Sequence, residues 1–535
     1  MPTECISYHE TGYFSPLMCD YLAESPALQS FYHRFPRLEN FGEQIQEKQQ
    51  SRLTDASQRT VLVNALRAQY KEVAASEKTL QNIEKLASED TFTITTGHQL
   101  NLFTGPLYFL YKIISTINLT TTLQEKYPSY KFVPIYWMAS EDHDFDEICF
   151  FNFKDKKIRW NREASGAVGE LSTEGLAEVL EVFSKELGNS NNAKYLQALF
   201  EDGYVKHDNL TDATRYIANE LFKRYGLVIV DGNDVALKQL FIPFVENELM
   251  QQTAHKKVLE TAQQLTEVSN SYKIQINPRE INLFYIKDGI RERIIETDGV
   301  FKVNNTSVRW NSDQIKEELH THPERFSPNA LLRPLYQEII LPNLCYIGGG
   351  GELAYWLELK SYFEAVNVTF PMLLLRNSVV VKTQKQSEKM AKLNISNRDV
   401  FLKKDGFAVQ KVKELSDIEI DFSSQKEHLQ QQFKHLYELA AQTDKSFTGA
   451  VAAQEKKQLK GLQHLEKRLL KAQKRVLKDK VARSEELREA LFPGNSLQER
   501  RLNFSELYLE YGETLVPTLV EHLQPLSGEF LVLEL

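Results

Sequence analysis

The stretch TTGHQLNLFTGPLYFLYK, residues 95–112, joins a β-branched run to an apolar segment that begins at Gly105-Pro106. Residues 91–95 predict a buried strand and residues 107–125 a helix, since Pro suits a first helical turn. The alternation recurs, with predicted strands at 132–138, 227–231, 344–347 and 370–375 and predicted helices at 234–250 and 352–365. This pattern predicts an α/β fold, a parallel sheet covered by helices on both faces.

Other segments add to this core. Residues 1–90 are predicted to be a mostly helical part of it, and residues 91–382 the sheet region itself, with insertions near 152–210 and 271–325. The second insertion contains a hairpin signal, because apolar residues lie on either side of Asp288-Gly289.

Residues 383–512 predict a helical coiled-coil domain. Apolar residues repeat there at spacings of three and four, namely Leu429, Phe433, Leu436 and Ala440, then Leu462, Leu465, Leu469, Ala472 and Val476. Such spacing is typical of a coiled coil within one chain or between two chains. Residues 513–535 are predicted to return to the core and to end in a strand at 529–535.

Composition narrows the class of protein. The chain has 535 residues, 42% hydrophobic and 26% charged, with a formal net charge of -9. The negative charge argues against general binding to nucleic acid or to anionic membranes. With no membrane-spanning apolar stretch and no signal-peptide pattern, a cytoplasmic protein is expected. The four cysteines are scattered, so neither a zinc site nor a redox cofactor is expected.

The first candidate site is the junction after the strand at 91–95. Gly97 permits a sharp turn or a close ligand, and the helix that starts near Gly105 can offer amide groups to a phosphate or carboxylate. His98 can donate to phosphoryl oxygens or shuttle a proton, and Thr96 and Gln99 complete the polar cluster. The alternative is an ordinary turn with a hydrogen-bonded histidine.

The second candidate site is Glu141-Asp142-His143-Asp144, after the strand at 132–138. Carboxylates this dense repel one another unless a cation, an amine or shared protons relieve them. They can hold magnesium through water, orient an ammonium group or remove a proton from an attacking amine. A solvated acidic loop is the alternative.

Two further clusters carry candidate binding residues. Gly348, Gly349, Gly350 and Gly351 stand between a predicted strand and helix, followed by Glu352, Tyr355 and Trp356. The glycines let backbone amides approach a ligand, although this is neither a Rossmann fingerprint nor a Walker A motif. Arg333, beside Asn329, and Arg376 are candidates for carboxylate or phosphate binding.

Six motifs in this order resemble the bacillithiol biosynthesis cysteine-adding family, BshC: TTGHQLNLFTGP, VPIYWMASEDHDFDE, GLVIVDGNDVALKQLF, INPREINLF, SPNALLRPLYQEIILP and GGGGELAYW. The resemblance implies a Rossmann-like core with inserted connecting segments and a coiled-coil domain used for homodimerisation. It also implies amide formation between the carboxyl of L-cysteine and the amine of glucosaminyl malate. Such a reaction needs an activated carboxyl, which implies ATP, through an acyl phosphate or an adenylate, with magnesium as a possible companion.

The resemblance also suggests roles for the candidate residues. His98, Gln99 and the helix start at Gly105 would bind the activated carboxyl or a phosphate, while Asp142 and Asp144 would orient and deprotonate the sugar amine. Residues 348–351 would cradle a substrate edge, and Arg333 or Arg376 would meet the malyl carboxylates. The alternatives are another ATP-dependent amide ligase, a nucleotidyltransferase, or a dimeric scaffold with a regulatory nucleotide pocket.

Overall fold

The computed structural model describes residues 3–51, 55–287 and 289–535, which fall into two compact units. The larger unit contains residues 5–379 and 499–531, and the smaller contains residues 380–498 and 532–535 with the start of the chain.

A five-stranded parallel sheet forms the centre of the larger unit and confirms the predicted α/β class. In spatial order its strands are Met372–Leu375, Asn343–Gly348, Thr91–His98, Lys131–Met138 and Val228–Asp231. Neighbours pair in parallel throughout, with His98 opposite Met138 at one end of the central pair. The chain order reverses between Asn343–Gly348 and Thr91–His98, and ligands of open parallel sheets bind at such a switch point.

The central strand is buried on both faces because every residue of Thr91–His98 is enclosed. Phe92 and Ile94 pack with Leu119 of the covering helix Tyr108–Lys126. The buried Asn343 accepts hydrogen bonds from the hydroxyls of Thr93 (3.3 Å) and Thr95 (2.9 Å). A polar side chain satisfied in this way resists a shift of one strand past the next.

Helices surround this sheet. Those of eight or more residues are Phe41–Gln50, Ala56–Gln69, Glu77–Lys85, Tyr108–Lys126, Leu176–Leu187, Asn191–Phe200, Leu210–Phe222, Val235–Gln251, Thr253–Val268, Ser312–Thr321, Arg333–Ile340, Phe504–Tyr511 and Leu515–His522. The helix predicted at 352–365 is wrong in one respect, since two short helices form, Gly350–Trp356 and Lys360–Ala365. The turn between them lets the buried Glu358 accept the backbone N–H of Gln275 at 2.7 Å.

Both predicted insertions contain strands. The first includes the hairpin Phe150–Phe153 and Lys156–Arg159, followed by helices. The second forms an antiparallel sheet in the order Arg309–Trp310, Val300–Val303, Ile290–Thr297, Leu283–Lys287 and Phe326–Pro328. The hairpin predicted around Asp288 therefore forms, although Asp288 itself lies outside the described residues.

The smaller unit is helical, with Gln384–Lys392, Lys404–Leu415, Ser423–Ala440, Lys445–Val476 and Lys478–Leu491. Ser423–Ala440 packs on Lys445–Val476 through the buried residues Phe433, Ala440 and Val451. We call these two helices the helical hairpin. Other residues of the predicted repeat remain exposed, by 39% at Leu436, 54% at Leu465 and 76% at Val476.

The last strand, Glu529–Glu534, forms as predicted but does not join the parallel sheet. It belongs to a separate three-stranded sheet, in which it lies between Thr3–Ser7 and Val379–Lys382. Over the described stretches of the chain, no helix combines the length and the apolar character that crossing a bilayer requires.

Candidate functional site

A cavity of about 470 Å³ opens at the carboxyl edge of the parallel sheet, beside the switch point. Its wall combines the ends of strands Thr91–His98 and Lys131–Met138 with side chains from the helices that follow. The inserted antiparallel sheet adds Phe284 and Arg291. Segments far apart in the chain therefore meet in one cavity of the larger unit.

His98 lines this cavity and is 7% exposed. Its ring packs against Tyr108 and Phe109, with centroid distances of 5.6 and 5.0 Å. Burial lowers the pKa of His98 well below its ordinary value, and the positive charges of Lys112 and Arg376 lower it further, against a hydrogen bond with the Thr104 backbone. The ring is therefore neutral at neutral pH and is a weak base.

Gly97 and Gln99 also line the cavity, but Thr96 and Gly105 serve the fold. The Thr96 hydroxyl donates to the Ile347 carbonyl at 2.7 Å, which joins strand Thr91–His98 to strand Asn343–Gly348. Gly105 has φ +63°, and a Cβ there would lie 2.6 Å from the Cβ of Asn101. Only glycine fits this turn without strain.

Asp142 is one of the two carboxylates that the acidic loop brings to the cavity, with Glu141. It accepts hydrogen bonds from Gln99 Nε2 at 2.9 Å and from the backbone N–H of His143 at 2.7 Å. Burial alone would raise the pKa of Asp142, but the hydrogen bonds from His143 and Gln99 lower it far below the usual range. Asp142 therefore stays ionised, which suits it to hold a cation and makes it a weak base.

The other residues of this loop have different surroundings. Glu141 lines the cavity and pairs with Lys238, whose Nζ lies 2.5 Å from Oε1. His143 lines it too, and its Nδ1 accepts a hydrogen bond from Arg291 Nη1 at 2.7 Å. Asp144 is exposed at the start of the short helix Phe145–Ile148 and lies outside the cavity wall.

The helix that follows the glycine-rich turn contributes side chains to the cavity, whereas the turn itself does not reach the cavity wall. Residues 348–351 lie outside the cavity wall, and a Cβ at Gly348 would meet Tyr346 Cε1 at 2.9 Å. Glu352 reaches the cavity, where its Oε2 accepts the Tyr346 hydroxyl at 2.8 Å. Tyr355 lines the cavity, whereas Trp356 is fully buried and stacks on Tyr346.

The two candidate arginines differ in whether their guanidinium groups face the cavity. Arg333 lines the cavity, and its Nη1 donates to Gln337 Oε1 at 3.1 Å. Arg376 lies outside the cavity wall, because its Nη2 is paired with the buried Glu499 at 2.7 Å. Asn329 lines the cavity, and its Oδ1 caps the turn by accepting the Leu331 N–H at 2.9 Å.

Sequence reasoning missed two charged residues of the wall, Lys112 and Arg291. Lys112 ends the opening stretch, and its Nζ donates to the Gly97 carbonyl at 2.6 Å. A lysine on an otherwise buried helix face was a usable signal, since an unpaired lysine is rarely enclosed. No comparable signal marked Arg291, because its strand is far in sequence from the other motifs.

The fold and the cavity define a Rossmann-like α/β protein with a polar cavity at the switch point of its sheet and a second, helical unit. Two family models match the chain: the bacillithiol biosynthesis BshC N-terminal Rossmann-like domain over residues 1–377 and the BshC C-terminal coiled-coil domain over residues 379–535. The chain belongs to the bacillithiol biosynthesis BshC family.

Curated relatives match over the whole chain. A protein of Christiangramia forsetii named "Putative cysteine ligase BshC" is 61% identical, covering 100% of this chain and 99% of the relative. A protein of the same name from Flavobacterium johnsoniae is 61% identical over 99% of both chains. A third, from Flavobacterium psychrophilum, is 55% identical over 100% of both.

Proposed function

We propose that this chain is a cysteine ligase of bacillithiol biosynthesis, which joins the carboxyl of L-cysteine to the amine of glucosaminyl malate. The observation that carries the proposal is the convergence of His98, Asp142 and Arg333 on one cavity. A site for an amine and an acid needs both signs of charge, and a scaffold has no need for such a site. Family membership and the names of the relatives support the same reaction.

Amide formation from a free carboxylate is uphill, and ATP would supply the activated carboxyl as an acyl phosphate or an adenylate. The polar donors of the cavity wall, Arg333 and Gln99, fit a phosphoryl or carboxyl oxygen. Ionised Asp142 would hold the sugar amine as an ammonium and orient it toward that carboxyl. Neutral His98 would hydrogen-bond to the activated carboxyl, and the protons that the amine loses would pass to the leaving phosphoryl group or to solvent, since Asp142 is too weak a base.

The malyl part of the acceptor carries two carboxylates. Arg333 would bind one of them, because Arg376 is already neutralised by Glu499. The four glycines would shape the turn that places Glu352 and Tyr355, and Asp144 would take no part in the reaction.

Purified protein mixed with glucosaminyl malate, L-cysteine, ATP and magnesium tests the proposal. The expected result is a new thiol whose mass equals the two substrates minus one water, together with ADP or AMP, which names the activated intermediate. Replacing cysteine by serine or alanine, and glucosaminyl malate by glucosamine, tests the competing amide ligases. A faster reaction with another pair, or nucleotide transfer without amide formation, would replace the proposed function.

We also propose that two copies of the chain associate through the helical hairpin. Its exposed apolar side chains include Leu436, Leu439 and Leu465, at 39%, 57% and 54% exposure. Leu436 and Leu465 belong to the predicted coiled-coil repeat, and repeat leucines that do not pack within one chain are typical of an interface between chains.

A further inference from the structure

The inner wall of the cavity contains a cluster of enclosed charges around Gly97. Lys112 Nζ donates to the Gly97 carbonyl, and Glu352 Oε1 lies 2.6 Å from the same Nζ. A Cβ at Gly97 would lie 3.7 Å from Arg333 Nη1. Lys112 and Arg333 therefore approach the same backbone residue from different elements.

The cluster extends through Tyr108 to Arg376. Lys112 Nζ lies 6.0 Å and the Arg376 guanidinium carbon 4.9 Å from the Tyr108 ring centroid. Lys112 and Arg376 are 2% and 3% exposed, so water screens their charges poorly.

The charges of this cluster do not balance. Glu352 compensates Lys112, and Glu499 compensates Arg376. Arg333 pairs with neutral Gln337, and its enclosed Nη2 has no hydrogen-bond partner in the part of the chain that the structure describes. Three cations thus face two carboxylates, and one positive charge is left over. Burial alone would lower the pKa of Arg333, but Tyr355, Tyr346 and Glu352 raise it, so Arg333 stays charged. Its unused, enclosed donor and the surplus charge favour a bound anion.

The titration of neighbouring groups agrees with this surplus. Burial lowers the pKa of Lys112, and Arg376 and Arg333 lower it further, against the opposite effect of Glu352. Two of these cations, Lys112 and Arg376, also act on His98.

We propose that the inner end of the cavity is a subsite for one oxyanion, in which Lys112 and Arg333 hold a carboxylate or phosphoryl group of a substrate. The choice of substrate rests on the proposed ligase: the oxyanion is a malyl carboxylate of the acceptor or a phosphoryl group of the nucleotide.

Isothermal titration calorimetry with L-malate and, separately, with inorganic phosphate tests the subsite without requiring turnover. Lys112→Met removes one donor and one charge, and should weaken binding about tenfold or more. Glu352→Gln raises the surplus from one positive charge to two, and should tighten binding a few-fold. Opposite signs are the decisive feature, because a merely structural role would make both variants weaker.

Lys48→Met is the matched control, since Lys48 is also buried beside a buried glutamate, with Nζ 3.2 Å from Glu338 Oε2, but lies outside the cavity wall. It should bind both anions as the wild type does. Far-ultraviolet circular dichroism establishes that each variant is folded, and if Lys112→Met unfolds, Glu352→Gln and the salt dependence of wild-type binding decide the matter.

The outcomes separate the two possible anions and the two proposals. Weakening confined to L-malate assigns the subsite to a carboxylate, and weakening confined to phosphate assigns it to a phosphoryl group. Wild-type protein that binds neither anion, or Lys112→Met with unchanged affinity, overturns the subsite. If the wild type binds an anion but forms no amide, the ligase proposal is wrong and the subsite stands. If the wild type forms the amide but Lys112→Met binds both anions with wild-type affinity, only the subsite proposal is wrong.

Discussion

His98 couples the cavity to the stability of the fold. Its pKa lies well below the ordinary 6.5 because the ring is buried. Below about pH 6.5 the unfolded chain therefore binds a proton that the folded chain does not, and stability falls as the pH falls. His98→Gln removes this effect. Between about pH 7 and pH 5.5, we expect the variant to lose about 1 kcal/mol less free energy of unfolding than the wild type.

Urea unfolding at both pH values measures this difference. His320→Gln replaces an exposed histidine of the same unit and should show the acid sensitivity of the wild type. Equal acid sensitivity of His98→Gln and wild type would contradict a buried neutral ring.

Asp142 gives the second prediction at this scale. Asn in its place keeps the shape but loses the charge that would hold the sugar amine, so kcat/KM should fall about 100-fold. Asp146→Asn is the control, since Asp146 lies four residues further along, in the short helix Phe145–Ile148, and pairs at the surface with Arg159, at 2.9 Å. Steady-state kinetics decide it, and Asp142→Asn with wild-type kcat/KM would remove Asp142 from the reaction.

At the scale of single elements, the turn between strand Thr91–His98 and helix Tyr108–Lys126 has a strained backbone that hydrogen bonds hold in place. Phe103 and Thr104 have φ of +46° and +68°, a conformation that costs non-glycine residues about 1 to 3 kcal/mol each. Asn503 Nδ2 stabilises it by donating to the carbonyls of Phe103 at 2.7 Å and Gly105 at 2.6 Å. The backbone of Thr104 in turn contacts His98.

Asn503→Ala should therefore reduce both stability, by about 2 to 4 kcal/mol, and kcat. Asn118→Ala is a matched control, because Asn118 Nδ2 also donates to two carbonyls, those of Val520 at 2.8 Å and Leu523 at 2.6 Å, far from the cavity wall. It should lose comparable stability and keep its kcat. If Asn503→Ala also keeps wild-type kcat, the turn supports the fold and not the reaction.

The same elements mark how far sequence reasoning reaches. All five strands of the sheet were predictable, because each is a short apolar run between helices. The break at Glu358 was not, since it depends on a contact with Gln275 elsewhere in the chain. The sequence pattern placed the glycines of residues 348–351 at the end of the correct strand. It carried no information on whether their backbone faces the cavity. His98 and Asp142 were found because topology brings the ends of parallel strands together.

At the scale of the whole molecule, the helical hairpin is the feature whose role depends on a second copy. Leu439 and Leu465 of this hairpin remain exposed, and Leu465 belongs to the predicted apolar repeat. A pair of hairpins would bury them, and charged side chains in their place would oppose that burial.

Leu439→Glu combined with Leu465→Glu should therefore convert a dimer to a monomer, with little change in helix content because neither side chain belongs to the core of its own chain. Val182→Glu is the control: Val182 is an equally exposed apolar residue, at 52%, on a helix of the larger unit. Sedimentation equilibrium over a range of protein concentrations gives the masses.

Wild-type protein that remains monomeric would contradict the proposed dimer, and a double variant that dimerises with wild-type affinity would place the interface elsewhere. A monomeric variant that still forms the amide would show that each chain holds a complete site.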